Sequence, residues 1–230
     1  MNLPNALSLG RIAAAPFIAL LPFGASWELR LAGFVLYIAA AITDYYDGVL
    51  ARTRNLVTDV GKLLDPLADK LLLFATFIPM YLLQTSPTDW LLGVVPGTSW
   101  LPAAAFDFAF VTPFGRVSLP FWIVAVIVGR ELFMTVFRQA AARRGVVIAA
   151  IGPAKWKMGF QATWVGAAYF WFAAESAARY YHWTNAAWRA FANFNGIVGV
   201  VTMSVAVVLT LYSFALYLHR YSSLFVASRG

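Results

Sequence analysis

Six long apolar runs determine what this chain can fold into. The last run, residues 196–218, contains no charged residue, and about 20 apolar residues are enough for a helix to cross a bilayer. Charged residues make up 12% of the chain and hydrophobic residues 61%, whereas soluble domains are about 25% charged. We therefore predict an all-α, polytopic membrane protein with six transmembrane helices, over residues 9–23 (beginning near Pro4), 29–52, 60–83, 119–138, 158–174 and 196–218.

The segments between these runs differ in character. Residues 142–157 form a basic connector, residues 175–193 an amphipathic link, and residues 85–118 a long loop rich in Pro, Gly and Trp. We interpret the loop as an extracytoplasmic insertion in a single membrane domain that spans residues 1–230. Its aromatic residues are typical of a segment on the bilayer interface, namely Trp100, Phe106, Phe108, Phe110 and Phe114.

The distribution of basic residues predicts the orientation. Six spans place both termini on one side, and that side then collects 13 of the 17 lysines and arginines. Cytoplasmic loops carry such an excess, so we expect both termini in the cytoplasm. The net charge of +7 then reflects basic residues that face the anionic cytoplasmic leaflet of the membrane. We therefore expect no nucleic-acid partner.

Four carboxylates lie at the cytoplasmic ends of the second and third predicted helices. Asp44 and Asp47 share one helix face, as do Asp65 and Asp69. Four like charges that close together need a cation between them, because repulsion otherwise protonates some of them. Oxygen ligands without Cys or His suit hard ions, so we predict two Mg²⁺ or Mn²⁺ ions. The alternative is a structural role, in which the carboxylates form ion pairs with basic residues of the same stretch, namely Arg52, Lys62 and Lys70.

Two further groups of residues lie near these carboxylates. Gly48 and Ala51 leave space beside them, and this space suits either close helix packing or a ligand. A set of basic residues could hold phosphate oxygens, or simply belong to a positive cytoplasmic loop. Arg130 lies too deep for a loop residue, and Glu131 beside it offers no partner on the same helix face. The basic candidates are Arg52, Arg130, Arg138, Lys155 and Lys157, together with Arg143 and Arg144, which fit the cytoplasmic-loop alternative.

Metal ligands beside basic residues at a cytoplasmic-facing site favour phosphoryl-type chemistry on a lipid. A divalent-cation transporter could use the same carboxylates, but transport sites usually lie near the bilayer midplane. A scaffold without activity is a third alternative, although all four carboxylates are present.

One spacing is far more specific than these patterns. The residues Asp44-x2-Asp47-Gly48-x2-Ala51-Arg52-x8-Gly61-x3-Asp65-x3-Asp69 resemble, without a gap or substitution, the signature of the CDP-alcohol phosphotransferase family. The resemblance implies an integral membrane enzyme, typically a six-helix homodimer, in which the four aspartates hold two divalent ions and Asp69 is the catalytic base. It also implies a set of CDP-binding residues, Asn5, Gly48, Ala51, Arg52 and Gly61.

The flanking segments indicate which members of the family this chain resembles most. The N-terminal pattern carried by Pro4, Asn5, Leu7, Ser8 and Arg11, and the later GREL…R…GPAKWKMGFQ, are similar to bacterial family members that use glycerol 3-phosphate. This implies CDP-diacylglycerol as donor, the acceptor phosphate on Arg130, Arg138, Lys155 and Lys157, and a location in the bacterial cytoplasmic membrane among its lipids. Inositol phosphate or serine remains the alternative acceptor.

Overall fold

Six α-helices account for most of the chain that the computed structural model describes, which is residues 3–53, 59–85, 108–146, 148 and 152–221. Proline in the first turn favours the start of α1 and α5, where Pro4 and Pro153 are the second helical residues. The helices are α1 Leu3–Leu20, α2 Trp27–Thr53, α3 Asp59–Gln84, α4 Phe121–Arg143, α5 Gly152–Tyr180 and α6 Ala186–Arg220, and a short 3₁₀ turn, Leu21–Phe23, follows α1.

Four of these helices are long and apolar enough to cross a membrane. The corresponding stretches are Asn5–Phe23, which includes the 3₁₀ turn after α1, and Trp27–Tyr46, Leu64–Gln84 and Ala186–Arg220. The predicted fourth and fifth spans form α4 and α5, but both helices carry charged residues, among them Arg130 and Lys157. The chain is thus a mostly helical protein with several membrane-competent helices, and the count of six spans stays a prediction.

The helices pack around a core of large aromatic side chains. α1 lies against α2 and α3, and α5 lies against α2 and α6, while α4 contacts α3 and α6. The buried side chains of Trp164, Trp171 and Phe172 on α5 belong to this core. The hydroxyl of Tyr169 donates to the carbonyl oxygens of Ala75 and Ile18, at 2.9 and 3.1 Å. α5 is therefore joined to both α3 and α1 at the centre of the protein.

The predicted 85–118 loop contains a short β-hairpin, so the all-α prediction is incomplete. Antiparallel strands β1 (Phe110–Thr112) and β2 (Gly115–Val117) are joined by a tight turn. Phe108 and Phe110 are buried, whereas Phe114 is exposed. The prediction that Phe108 and Phe110 lie on the bilayer interface is therefore wrong, because Phe110 packs with β1 on α6 and Phe108 packs against Phe172 of α5. Trp100 and Phe106 lie outside the described residues.

Two glycines of α6 allow this contact. A Cβ atom at Gly196 would collide with the carbonyl of Val111, and one at Gly199 would collide with the ring of Phe110. Replacing Gly199 with alanine should therefore lower the free energy of unfolding by about 1–3 kcal/mol, because overpacking forces neighbouring groups apart. Thermal unfolding in detergent micelles measures this loss.

A matched control is available on α5. Gly159 has open space around its missing Cβ, so Gly159→Ala should keep or slightly raise stability, since alanine favours helix over glycine. Equal melting temperatures for Gly199→Ala and the wild type would contradict the packing of β1 on α6.

Both predicted links are shorter than expected. α5 ends at Tyr180 and α6 begins at Ala186, where Asn185 caps the helix by accepting from the amide of Trp188. Most of the predicted 175–193 link is therefore helical. The predicted 142–157 connector is also partly helical, so Lys155 and Lys157 lie on the first turns of α5.

Candidate active site

Helix α1 joins the acidic residues of α2 and α3. The Nη1 atom of Arg11 donates to Oδ1 of Asp44 and to Oδ1 of Asp69, the latter at 3.1 Å. Arg11 is only 2% exposed, whereas the side chains of Asp44 and Asp69 are 35% and 57% exposed. Two carboxylates from different helices therefore share one buried guanidinium and remain open to other ligands.

A second contact from the same helix reaches Asp65. The hydroxyl of Ser8, three residues before Arg11, donates to Oδ1 of Asp65 at 2.5 Å. Ser8 lies within α1, which begins at Leu3. Asn5 is buried on α1, and Gly61 is buried on α3 one turn before Asp65. One end of α1 thus holds side chains from both acidic helices.

Part of the predicted site falls outside the described side chains. Asp47, Gly48, Ala51 and Arg52 belong to α2, whose backbone is helical up to Thr53, but their side-chain positions are not described. The prediction that they contribute to a metal or CDP site stays a prediction.

The described carboxylates fit a hard divalent cation by their chemistry. Asp44, Asp65 and Asp69 offer only oxygen donors, which Mg²⁺ and Mn²⁺ prefer. Among the described residues, no three acidic or histidine side chains lie close enough together to hold a metal ion by themselves. Arg11 supplies the positive charge between Asp44 and Asp69 in this arrangement.

Most of the residues predicted to bind the acceptor phosphate lie where α4, α5 and α6 meet. Arg130 and Lys157 are both buried. The Nη1 atom of Arg130 donates to Oε1 of Glu131 at 2.9 Å, and Nζ of Lys157 donates to the same oxygen. Arg138 is exposed, and its Nη2 atom lies 3.4 Å from the hydroxyl of Tyr217. Three of the four residues predicted to bind the acceptor phosphate are therefore neighbours, and we call Arg130, Arg138 and Lys157 the basic cluster.

Two expectations about this region differ from the structure. Glu131 does bind the adjacent Arg130, because both side chains are long enough to turn towards each other and towards Lys157. Lys155 is exposed on α5. It is the one residue predicted to bind the acceptor phosphate for which the described part of the chain shows no contact with the cluster.

The basic cluster and the carboxylates lie towards the same end of the helices. Contacts between α2 and α5 pair Arg30 with Ser176, Phe34 with Phe170, and Tyr37 with Ala162, so the two helices run antiparallel. Asp44 lies towards the last residues of α2, and Lys157 lies in the second turn of α5. The end of α2 that carries Asp44 is therefore on the same side of the protein as the end of α5 that carries Lys157.

Sequence reasoning missed the partners of both groups. The N-terminal pattern contains Arg11 and Ser8 but does not predict their partners, although a charged residue in an apolar helix is itself a signal of function. Ser213 and Tyr217 lie in the most apolar run, where nothing in the local sequence indicates that they contact arginines. Ser213 accepts from Nη2 of Arg130 at 3.2 Å.

Comparison with known proteins finds similarity over most of the chain. Residues 1–212 match the model of the CDP-alcohol phosphatidyltransferase family. A CDP-diacylglycerol–glycerol-3-phosphate 3-phosphatidyltransferase of Bacillus subtilis is 37% identical over 163 residues, which are 65% of this chain and 66% of the relative. The CDP-diacylglycerol–glycerol-3-phosphate 3-phosphatidyltransferase 1 of Arabidopsis thaliana, a chloroplastic/mitochondrial protein, is 34% identical over 172 residues. These residues are 71% of this chain and 49% of the relative.

A third relative has a higher sequence identity over a shorter stretch. The CDP-diacylglycerol–glycerol-3-phosphate 3-phosphatidyltransferase of Rickettsia bellii is 49% identical over 88 residues, 38% of this chain and 48% of the relative. The chain thus spans about half of the length of the Arabidopsis and Rickettsia relatives, and 66% of the Bacillus relative.

Proposed function

This chain belongs to the CDP-alcohol phosphatidyltransferase family, and we propose that it transfers the phosphatidyl group of CDP-diacylglycerol to glycerol 3-phosphate. The products are phosphatidylglycerophosphate and CMP. The acceptor follows from the names of the relatives from Bacillus, Arabidopsis and Rickettsia, which are glycerol-3-phosphate 3-phosphatidyltransferases. The enzyme works in the bacterial cytoplasmic membrane as a homodimer of six-span, single-domain subunits, with its site and both termini on the cytoplasmic side.

One observation supports this chemistry most directly. Carboxylates of two helices converge on Arg11, and a basic cluster lies on α4 and α5 towards the same end of the protein. A phosphoryl-transfer enzyme needs both, because acidic side chains bind metal ions and a base must take a proton, while cations hold the phosphate of the acceptor.

In this proposal Asp44, Asp47, Asp65 and Asp69 hold two divalent ions. Asn5, Gly48, Ala51, Arg52 and Gly61 line the CDP site. Bound ions would neutralise the charge of the pyrophosphate during transfer. Metal removal by a chelator should therefore abolish CMP release, and added Mg²⁺ or Mn²⁺ should restore it.

Asp69 acts as the base. Its side chain is 57% exposed, so an acceptor hydroxyl can reach the carboxylate. The proton of that hydroxyl passes to Asp69 as the oxygen forms a bond to the β-phosphorus of CDP-diacylglycerol. The bond between that phosphorus and the bridging oxygen breaks, and CMP leaves with the electron pair. The basic cluster holds the phosphate of glycerol 3-phosphate, together with Lys155, which is exposed two residues before Lys157 on α5.

The acceptor is tested by comparing alcohols. Purified protein with CDP-diacylglycerol and Mg²⁺ is given glycerol 3-phosphate, inositol phosphate or serine, and CMP is measured. We expect glycerol 3-phosphate to react fastest, and serine to react at least about 100-fold more slowly, because it leaves the buried cations without a phosphate. A faster reaction with serine or inositol phosphate would leave the family assignment unchanged but would show that the acceptor is not glycerol 3-phosphate.

A further inference from the structure

The basic cluster has its own set of supporting residues. Glu131 of α4 binds both Arg130 and Lys157 through a single oxygen, so it joins α4 to α5. Ser213 of α6 accepts from the other terminal nitrogen of Arg130. Both terminal nitrogens of that buried guanidinium are thus bound by protein groups.

Tyr217 supports the cluster from a different direction. Its side chain is fully buried one turn after Ser213. The guanidinium carbons of Arg130 and Arg138 lie 5.8 and 5.7 Å from its ring centroid, within the range of attraction between a cation and an aromatic ring. Both arginines of α4 therefore rest on one residue of α6.

The charge of this arrangement suits a phosphate. Three cations held together repel one another, and Glu131 reduces their net charge from +3 to +2. A phosphate monoester carries nearly two negative charges at neutral pH. Arginine and lysine nitrogens bind such oxygens best when they are fixed in advance, since less entropy is lost on binding.

We propose that Glu131 and Tyr217 are positioning residues for the acceptor phosphate, with Glu131 fixing Arg130 and Lys157 while Tyr217 fixes Arg130 and Arg138. Neither residue touches the reacting atoms in this scheme. The inference rests on the proposed function, because it assigns the phosphate of glycerol 3-phosphate to this cluster. It adds two residues that lie outside the acidic signature and outside the predicted basic set.

The test separates binding of the acceptor from the rest of catalysis. In Glu131→Gln, the Kd and the KM for glycerol 3-phosphate should rise about ten-fold, because hydrogen bonds between charged groups are lost. The KM for CDP-diacylglycerol and the kcat should change little. Glu131→Asp, which keeps the charge, should fall between the wild type and Glu131→Gln.

Tyr217 is tested with a pair of variants. Tyr217→Phe keeps the ring and should bind glycerol 3-phosphate almost as the wild type does, whereas Tyr217→Leu should weaken binding. Glu175→Gln is the matched control, because Glu175 pairs with Arg179 on a different part of α5. It should leave both Kd and KM unchanged.

The outcomes separate the two proposals. Unchanged or tighter binding of glycerol 3-phosphate by Glu131→Gln overturns the positioning role, because the extra positive charge would then outweigh any loss of orientation. Equal increases in both KM values also overturn it. If the wild type binds glycerol 3-phosphate by calorimetry but does not transfer it, the proposed function fails, while the Kd values of the variants still decide the role of Glu131.

Discussion

Replacing Asp69 with asparagine should lower the kcat for CMP release by about 10²–10⁴-fold, because the site loses its base and one metal-binding charge. The substitution is nearly isosteric, and the asparagine oxygen can still accept from Arg11, which lies 3.1 Å from the native carboxylate. We therefore expect the fold to persist while turnover fails. Turnover is measured with saturating glycerol 3-phosphate, CDP-diacylglycerol and Mg²⁺, alongside the melting temperature.

A matched control comes from α2, at the end away from Asp44. Glu28 lies exposed in the first turn of that helix, and Glu28→Gln should keep wild-type kcat. If Asp69→Asn keeps more than about a tenth of the wild-type kcat, Asp69 is not the base, since general-base catalysis contributes at least about 10²-fold.

Replacing Arg11 with methionine should destabilise the protein most when no divalent metal is present. Asp44 and Asp69 then lose their common cation and repel each other, which should lower the free energy of unfolding by about 2–3 kcal/mol. Added Mg²⁺ should bring the two carboxylates together again. The increase in melting temperature between EDTA and Mg²⁺ should therefore be larger for Arg11→Met than for the wild type.

Arg179→Met is the control for this experiment. Arg179 pairs with Glu175 one turn earlier on α5 and is 38% exposed, and such surface pairs contribute only about 0.3–0.5 kcal/mol. The Arg179 guanidinium also lies 5.1 Å from the ring centroid of Phe108, so the test compares the effect of Mg²⁺: the difference in melting temperature between EDTA and Mg²⁺ should equal that of the wild type. An equal Mg²⁺ effect on Arg11→Met and the wild type would show that Arg11 does not balance the charge of the carboxylates.

The sequence predicted the helices and the acidic residues because both follow local rules. Apolar runs of membrane length indicate helices, and spacing of three or four residues places side chains on one helix face. The boundaries agree closely for α3, predicted at residues 60–83 and observed at Asp59–Gln84. Where polar and apolar residues mix, as in the first turns of α5, hydropathy underestimates the length of the helix.

The partners of the charged residues could not be predicted in this way. Arg11 lies 33 residues from Asp44 and 58 from Asp69 in sequence, and only the packing of α1 between their helices brings them together. The burial of Phe110 has the same origin, because it depends on two distant glycines of α6. The contact of Glu131 with Arg130 was missed because helix-face rules describe Cβ positions and not the reach of long side chains.

Coupled product formation tests the central claim most directly. Purified protein in mixed micelles is given CDP-diacylglycerol, Mg²⁺ and radiolabelled glycerol 3-phosphate, and labelled lipid and CMP are measured together. The proposed reaction predicts equal amounts of labelled phosphatidylglycerophosphate and CMP, with neither formed in EDTA. If no alcohol releases CMP, while vesicles that contain the protein take up Mn²⁺, the transferase account is wrong and the carboxylates belong to a cation transporter.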